Sequence, residues 1–192
     1  AFNRALVDLL DGSGDVLLDV AGLAATVGLE TWHDATQWHM AKLPFSQFAV
    51  PLYAEHVARL IGAIKGKSRK CLVLDLDNTL WGGVIGDDGL SGIALGQGDP
   101  VGEAFLDIQR TALQLRSLGI VLAVSSKNDD EIARQPFRDH PDMLLREDDI
   151  AIFQANWSDK ATNIEAIAAA LDIGIDSLVL LDDNPAERAQ VR

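Results

Sequence analysis

The chain has 192 residues, 48% of them hydrophobic, and a formal net charge of −13, enough to bury one α/β core with residues left for an attached module. The acidic balance argues against a nucleic-acid or anionic-membrane partner, because gripping a phosphate backbone takes clustered Lys and Arg. A single cysteine, Cys71, excludes an internal disulfide, and no apolar run nears the ~20 residues of a membrane span, so a cytoplasmic protein is expected.

Charge is unevenly spread. Residues 1–70 carry seven acids and seven bases, whereas residues 71–192 carry 22 acids and nine bases. The change falls at KGKSRK (65–70), which reads as a solvated helix end and linker. Two parts are therefore expected: a mostly helical lead-in over 1–69 and a catalytic domain over 70–192. The chain starts at alanine and stops two turns into a helix, so material outside this window is expected to complete both parts.

In the lead-in, DVLLDV (15–20) predicts a short strand and AGLAATVG a helix ended by Gly28. The spacing of Phe48, Leu52, Leu60, Ile61 and Ile64 predicts one long helix from Ser46, its N-cap, to about Lys65. His33, His39 and His56 lack metal-ligand spacing and read as hydrogen-bonding residues. From Cys71 the pattern becomes that of a parallel sheet with flanking helices. CLVLD and IVLAVSS are continuous apolar runs, suited to strands buried on both faces. Between them, Phe105, Ile108, Leu113 and Leu115 mark a helix that Gly119 ends. A helix opens near Asp129, MLL around Leu144 predicts a third strand, and Asp159–Leu171 a helix after Ser158. SLVLL (177–181) is the last strand, followed by Asn184 as N-cap, Pro185 at the first helical position and Glu187 in capping-box position.

In an open parallel sheet, ligands gather beyond the carboxyl ends of the strands. The polar residues there form a coherent set: Asp75, Asp77, Asn78 and Thr79 after the first strand, Ser126, Lys127 and Asn128 after the second, Lys160 at a helix start, and Asp182 and Asp183 after the last. Four carboxylates so placed repel one another unless a cation sits among them, and hard oxygen donors without His or Cys select Mg²⁺ over zinc. Asp75 and Asp77 lie two apart, on one side of an extended chain. One can attack phosphorus while the other exchanges a proton with the leaving group. Lys160 supplies fixed positive charge, and Ser126, with Thr79, Lys127 and Asn128, offers donors for a phosphate.

These motifs resemble the haloacid dehalogenase (HAD) superfamily, with a Rossmannoid parallel sheet. The strings KCLVLDLDNTLWGGVIGDDG, SKNDD, FRDHPDMLLREDDIAIFQANWSDKATN and LLDDNPAERAQVR are similar to its FkbH-like branch across 70–192. WHDATQWHMAKLPFS resembles the segment that closes an esterase-like module ahead of the catalytic domain in that branch. The resemblance implies that 1,3-bisphosphoglycerate is dephosphorylated and its glyceryl unit loaded onto the phosphopantetheine arm of an acyl carrier protein in polyketide biosynthesis. It further implies Asp75 as nucleophile and metal ligand, Asp77 as acid/base and ligand through its carbonyl, Ser126 and Lys160 at the phosphate, and Asp182 with Asp183 at the metal. Many relatives in the branch have cysteine at Ser125, which makes Ser125 the candidate acyl carrier. Transfer through Ser125, direct transfer and loss of transfer all stay open, as does whether Ser125 is natural or a substituted cysteine.

Only 33 residues separate Ser126 from Lys160, which leaves no room for a large cap and favours a substrate presented by a macromolecule. Two other readings stand beside the transferase: a capless Mg²⁺-dependent phosphomonoesterase, and a non-catalytic docking domain. Cys71, Trp32, Trp38 and Trp157 read as packing residues, and Trp81 as either an entrance or a packing residue.

Overall fold

A computed structural model describes residues 2–191. The chain divides into two compact units, Ala1–Ser68 and Arg69–Arg192.

The first unit is helical: α1 (Phe2–Leu10), α2 (Val20–Val27), α3 (Leu29–Trp32), α4 (Ala35–Ala41) and α5 (Val50–Ile64). Asp19 accepts the Gly22 N–H and so caps α2, and Gly28 ends that helix at φ 87°. The strand expected over 15–20 does not form. Among the described residues this unit has no strand to receive its backbone groups, and the Asp19 cap draws Val20 into a helix instead. The helix expected from Ser46 starts as a 3₁₀ turn, Gln47–Ala49, because the Ser46 hydroxyl donates to the Thr31 carbonyl rather than capping. Trp32, Ala24 and Ala49 form the small core, and the Phe45 ring makes tilted contacts with Trp32 and Tyr53. Phe48, Ile61 and Ile64, whose spacing marks that helix, are exposed.

The second unit is an α/β sandwich. In chain order it contains β1 (Cys71–Leu74), α6 (Ile85–Asp88), α7 (Pro100–Ser117), β2 (Val121–Ser126), α8 (Asp130–Asp139), β3 (Ile152–Ala155), α9 (Lys160–Leu171), β4 (Leu178–Leu181) and α10 (Pro185–Gln190). All strands are parallel, in the order β3-β2-β1-β4. Side-chain alternation sends Leu74, Leu122 and Val124 to one face, where α7 and α8 cover them, and Cys71, Val73 and Ala123 to the other, against Ile164 and Ile167 of α9. The chain leaves β1 toward β2 and β3, then returns to β4 on the other side of β1. That reversal opens a crevice at the carboxyl end of β1.

The third strand is Ile152–Ala155, not the MLL stretch. Gln109 of α7, wholly buried, explains the difference: its Oε1 accepts the N–H groups of Leu144 and Leu145, and its Nε2 donates to the Leu80 carbonyl. A side chain thus takes the bonds that a neighbouring strand would otherwise supply, and it ties the loop after β1 to the packing layer. The loop itself needs two left-handed residues. Asn78 (φ 55°) and Gly83 (φ 94°) bond each other through the Asn78 N–H to the Gly83 carbonyl and the Gly83 N–H to Asn78 Oδ1. Only the four-residue α6 stands between this loop and the stretch leading to α7, so no large cap is present.

Candidate active site

The crevice holds a cavity of about 360 Å³, lined among others by Asp75, Asp77, Ser126, Lys127, Asp183 and Glu187. Three carboxylates, Asp75, Asp182 and Asp183, each present an oxygen within 4.8 Å of the others. Asp75 and Asp182 are buried and Asp183 is exposed. An all-oxygen, all-anionic donor set of this kind suits a hard divalent cation.

Lys160, the first residue of α9, is completely buried and offsets the acids from below. Its Nζ lies 2.8 Å from Asp75 Oδ1 and 2.8 Å from Glu187 Oε2, and it also bonds Asp182 Oδ2. Burial alone pushes the ammonium toward deprotonation, and the carboxylates around it more than offset that, so its pKa stands above the ordinary lysine value. Asp75 goes the other way for a carboxyl. Burial, with help from neighbouring Asp182, outweighs Lys160 and pushes it up to about 6.

Asp77 stands outside the acidic cluster. Its Oδ1 accepts the Trp81 indole N–H and the Ile85 backbone N–H, both at 2.9 Å, and its Oδ2 accepts the Asn128 amide at 3.1 Å. Three donors therefore fix this carboxylate at the cavity wall. Trp81 is fully buried with an edge-on contact to Phe137, so it packs and orients Asp77 rather than lining an entrance.

The predicted phosphate set is only partly brought together. Ser126 and Lys127 line the cavity, while Thr79 and Asn128 do not. Thr79 is buried and accepts the Asp183 N–H at 3.2 Å, which binds the β1 loop to the β4 loop, and Asn128 serves Asp77. Ser125 is fully buried, away from the cavity, and its Oγ has no hydrogen-bond partner among the described residues. It shares the sheet face of Ala123, whereas an acyl carrier has to meet its substrates; the expectation of a reacting Ser125 hydroxyl is not met by this placement. An unpartnered buried hydroxyl is a cost without a return. Ser125→Ala is expected to raise stability by about 1 kcal/mol, measurable by urea denaturation; a loss of that size instead would mean that Oγ has a partner.

One site residue was missed from sequence. Glu187, read as a helix-capping acid, bridges Lys160 and Lys127, with Oε1 2.9 Å from Lys127 Nζ. The α10 cap is made by Asn184 alone, to the Ala186 N–H.

Comparison with family models and with curated proteins finds no match. Among solved structures the chain is similar to the N-terminal part of the protein BF1531 from Bacteroides fragilis, which contains a phosphatase domain and was crystallised in complex with Mg. The two share 42% identity with a TM-score of 0.93, over 99% of this chain and 51% of that one, so this chain spans about half the length of its neighbour. The two share the Rossmann-like parallel sheet, and the acidic cluster of this chain could hold a metal ion.

Proposed function

We propose that the chain is a Mg²⁺-dependent phosphatase domain in which Asp75 takes up the phosphoryl group. The observation that carries this reading is the convergence of Asp75, Asp182 and Asp183 at the mouth of β1, with one buried lysine paired to the first two. Asp75, Asp182 and Asp183 would hold the ion, which supplies charge stabilisation to the phosphoryl oxygens and screens the acids from them. Asp75 attacks phosphorus, the bond to the leaving oxygen breaks, and Asp77 delivers the proton that oxygen needs. Water then attacks phosphorus of the aspartyl phosphate, the bond to the Asp75 oxygen breaks to release inorganic phosphate and restore the carboxylate, and Asp77, now ionised, accepts the proton of the water. Ser126 and Lys127 hold the phosphoryl oxygens at the cavity wall, and Lys160 keeps Asp75 oriented. Release of phosphate from p-nitrophenyl phosphate tests the reading: it is expected with Mg²⁺ and absent after chelation, and equal rates in both conditions reject it.

The finer proposal is that the substrate is 1,3-bisphosphoglycerate and that the glyceryl unit passes to an acyl carrier protein. The motif strings across 70–192 and the uncapped cavity support it. With Ser125 sealed in the sheet, the carrier thiolate takes the unit directly: a C–S bond forms at the acyl carbon, the C–O bond breaks, and inorganic phosphate departs. Asp75 and Asp77 act separately on the other phosphate. Intact-protein mass spectrometry of a holo carrier incubated with substrate and Mg²⁺ is expected to show a glyceryl adduct. Phosphate release without any adduct on the carrier leaves the simple phosphatase.

A further inference from the structure

Two lysines of the site, Lys160 and the cavity-lining Lys127, are both engaged by one carboxylate. Glu187 Oε2 meets Lys160 at 2.8 Å and Oε1 meets Lys127 at 2.9 Å. Lys160 also has Asp75 and Asp182, whereas Glu187 is the ion-pair partner of Lys127 among the described residues. The Glu187 side chain is 14% exposed, faces the cavity, and is held by a helix tied down at its N-terminal end: Asn184 caps α10 and Arg188 reaches back to donate to the Asp182 carbonyl. Lys127 is 37% exposed on a flexible stem and is the partner free to move. The two oxygens of Glu187 thus occupy the place between the lysines that two oxygens of a tetrahedral anion would take.

We propose that Glu187 is an internal competitor for the phosphoryl group: it holds Lys127 in the resting protein and gives it up when an anion enters. This rests on the phosphatase reading and deepens it, because it makes Glu187 the residue that sets the affinity of the site for phosphate and speeds release of the product. Glu187 acts through Lys127 and is a positioning residue. A carboxylate that merely braced α10 would have the opposite signature, since its loss would loosen Lys127 and Lys160 and weaken anion binding.

Calorimetric titration of inorganic phosphate into the Mg²⁺-loaded chain, with its inhibition constant against p-nitrophenyl phosphate, separates the two. Glu187→Gln is expected to bind phosphate about tenfold more tightly, as removal of one close competing charge implies, with KM lowered and kcat not raised. Lys127→Met is expected to bind more weakly, and adding Glu187→Gln to it to restore less than about twofold, because the two residues act as one pair. Glu187→Asp, too short to reach both lysines, shifts affinity in the same direction by less and serves if the glutamine variant does not fold. Unchanged or weaker phosphate binding in a folded Glu187 variant that keeps Lys127 overturns the inference, as does equal tightening with and without Lys127. Wild-type protein that neither binds phosphate nor releases it overturns the phosphatase reading as well; wild-type binding without the Glu187→Gln gain overturns this inference alone.

Discussion

Asp75→Asn is expected to reduce phosphate release by on the order of 10⁴-fold or more, as loss of a covalent nucleophile does in other enzymes, while the fold stays intact. Asparagine keeps the shape of the side chain and can still accept from Lys160, but it has no carboxylate to attack phosphorus and contributes one charge fewer to the acidic cluster. Stability gives a second readout in the absence of metal. The folded-state pKa of Asp75, about 6, lies above the ordinary aspartate value of 3.8, so its contribution to stability is fully present below the lower value and is lost as pH rises through the upper one. The variant has no such group. Its denaturation midpoint should therefore gain on the wild type from about pH 4 to about pH 7 without metal, and added Mg²⁺ should favour the wild type. Retention of more than about a tenth of the rate would sink the assignment of Asp75 as nucleophile, since a residue that only helps to bind the ion costs less.

The parts of the site carried by strand ends were legible in the sequence because a buried parallel strand is a continuous apolar run, and whatever polar residue stops it must lie at the carboxyl edge. Asp75, Ser126, Asp182 and Asp183 follow from that rule. The roles set by side chains meeting across the chain were not legible. Gln109 looks like an ordinary polar helix residue, yet it takes the backbone groups of Leu144 and Leu145 and so removes an expected strand. Asn128 and Asp77 are 51 positions apart and meet only in the folded loop layer. Glu187 sits where a capping box would put it, and only packing against α9 shows that it faces the lysines. The strand β3 was missed because three of its four residues are partly exposed and Gln154 interrupts the apolar run. At DVLLDV the error ran the other way: an apolar run was present but a pairing partner was not.

Lys160→Met is expected to be the most damaging single change to stability, at about 3–5 kcal/mol, the usual cost of removing one partner from a buried ionic group. Methionine fills the volume but leaves Asp75, Asp182 and Glu187 facing one another in a space where Lys160 has no exposed surface. The thermal midpoint should fall by roughly 10 °C or more for a domain of this size. The loss has a distinctive remedy, because the missing item is a positive charge rather than a shape. Protons supply it, so the variant should recover relative to the wild type as pH falls and the crowded carboxyls protonate. A divalent cation supplies it as well: binding to the folded state alone stabilises by mass action, and the variant offers the ion an acidic cluster with one cation fewer competing for it. Thermal denaturation of both proteins, with and without Mg²⁺ and at acidic and neutral pH, checks these expectations. A midpoint equal to that of the wild type, or one whose response to Mg²⁺ does not exceed the wild-type response, would mean that the three carboxylates are held apart by something other than the lysine.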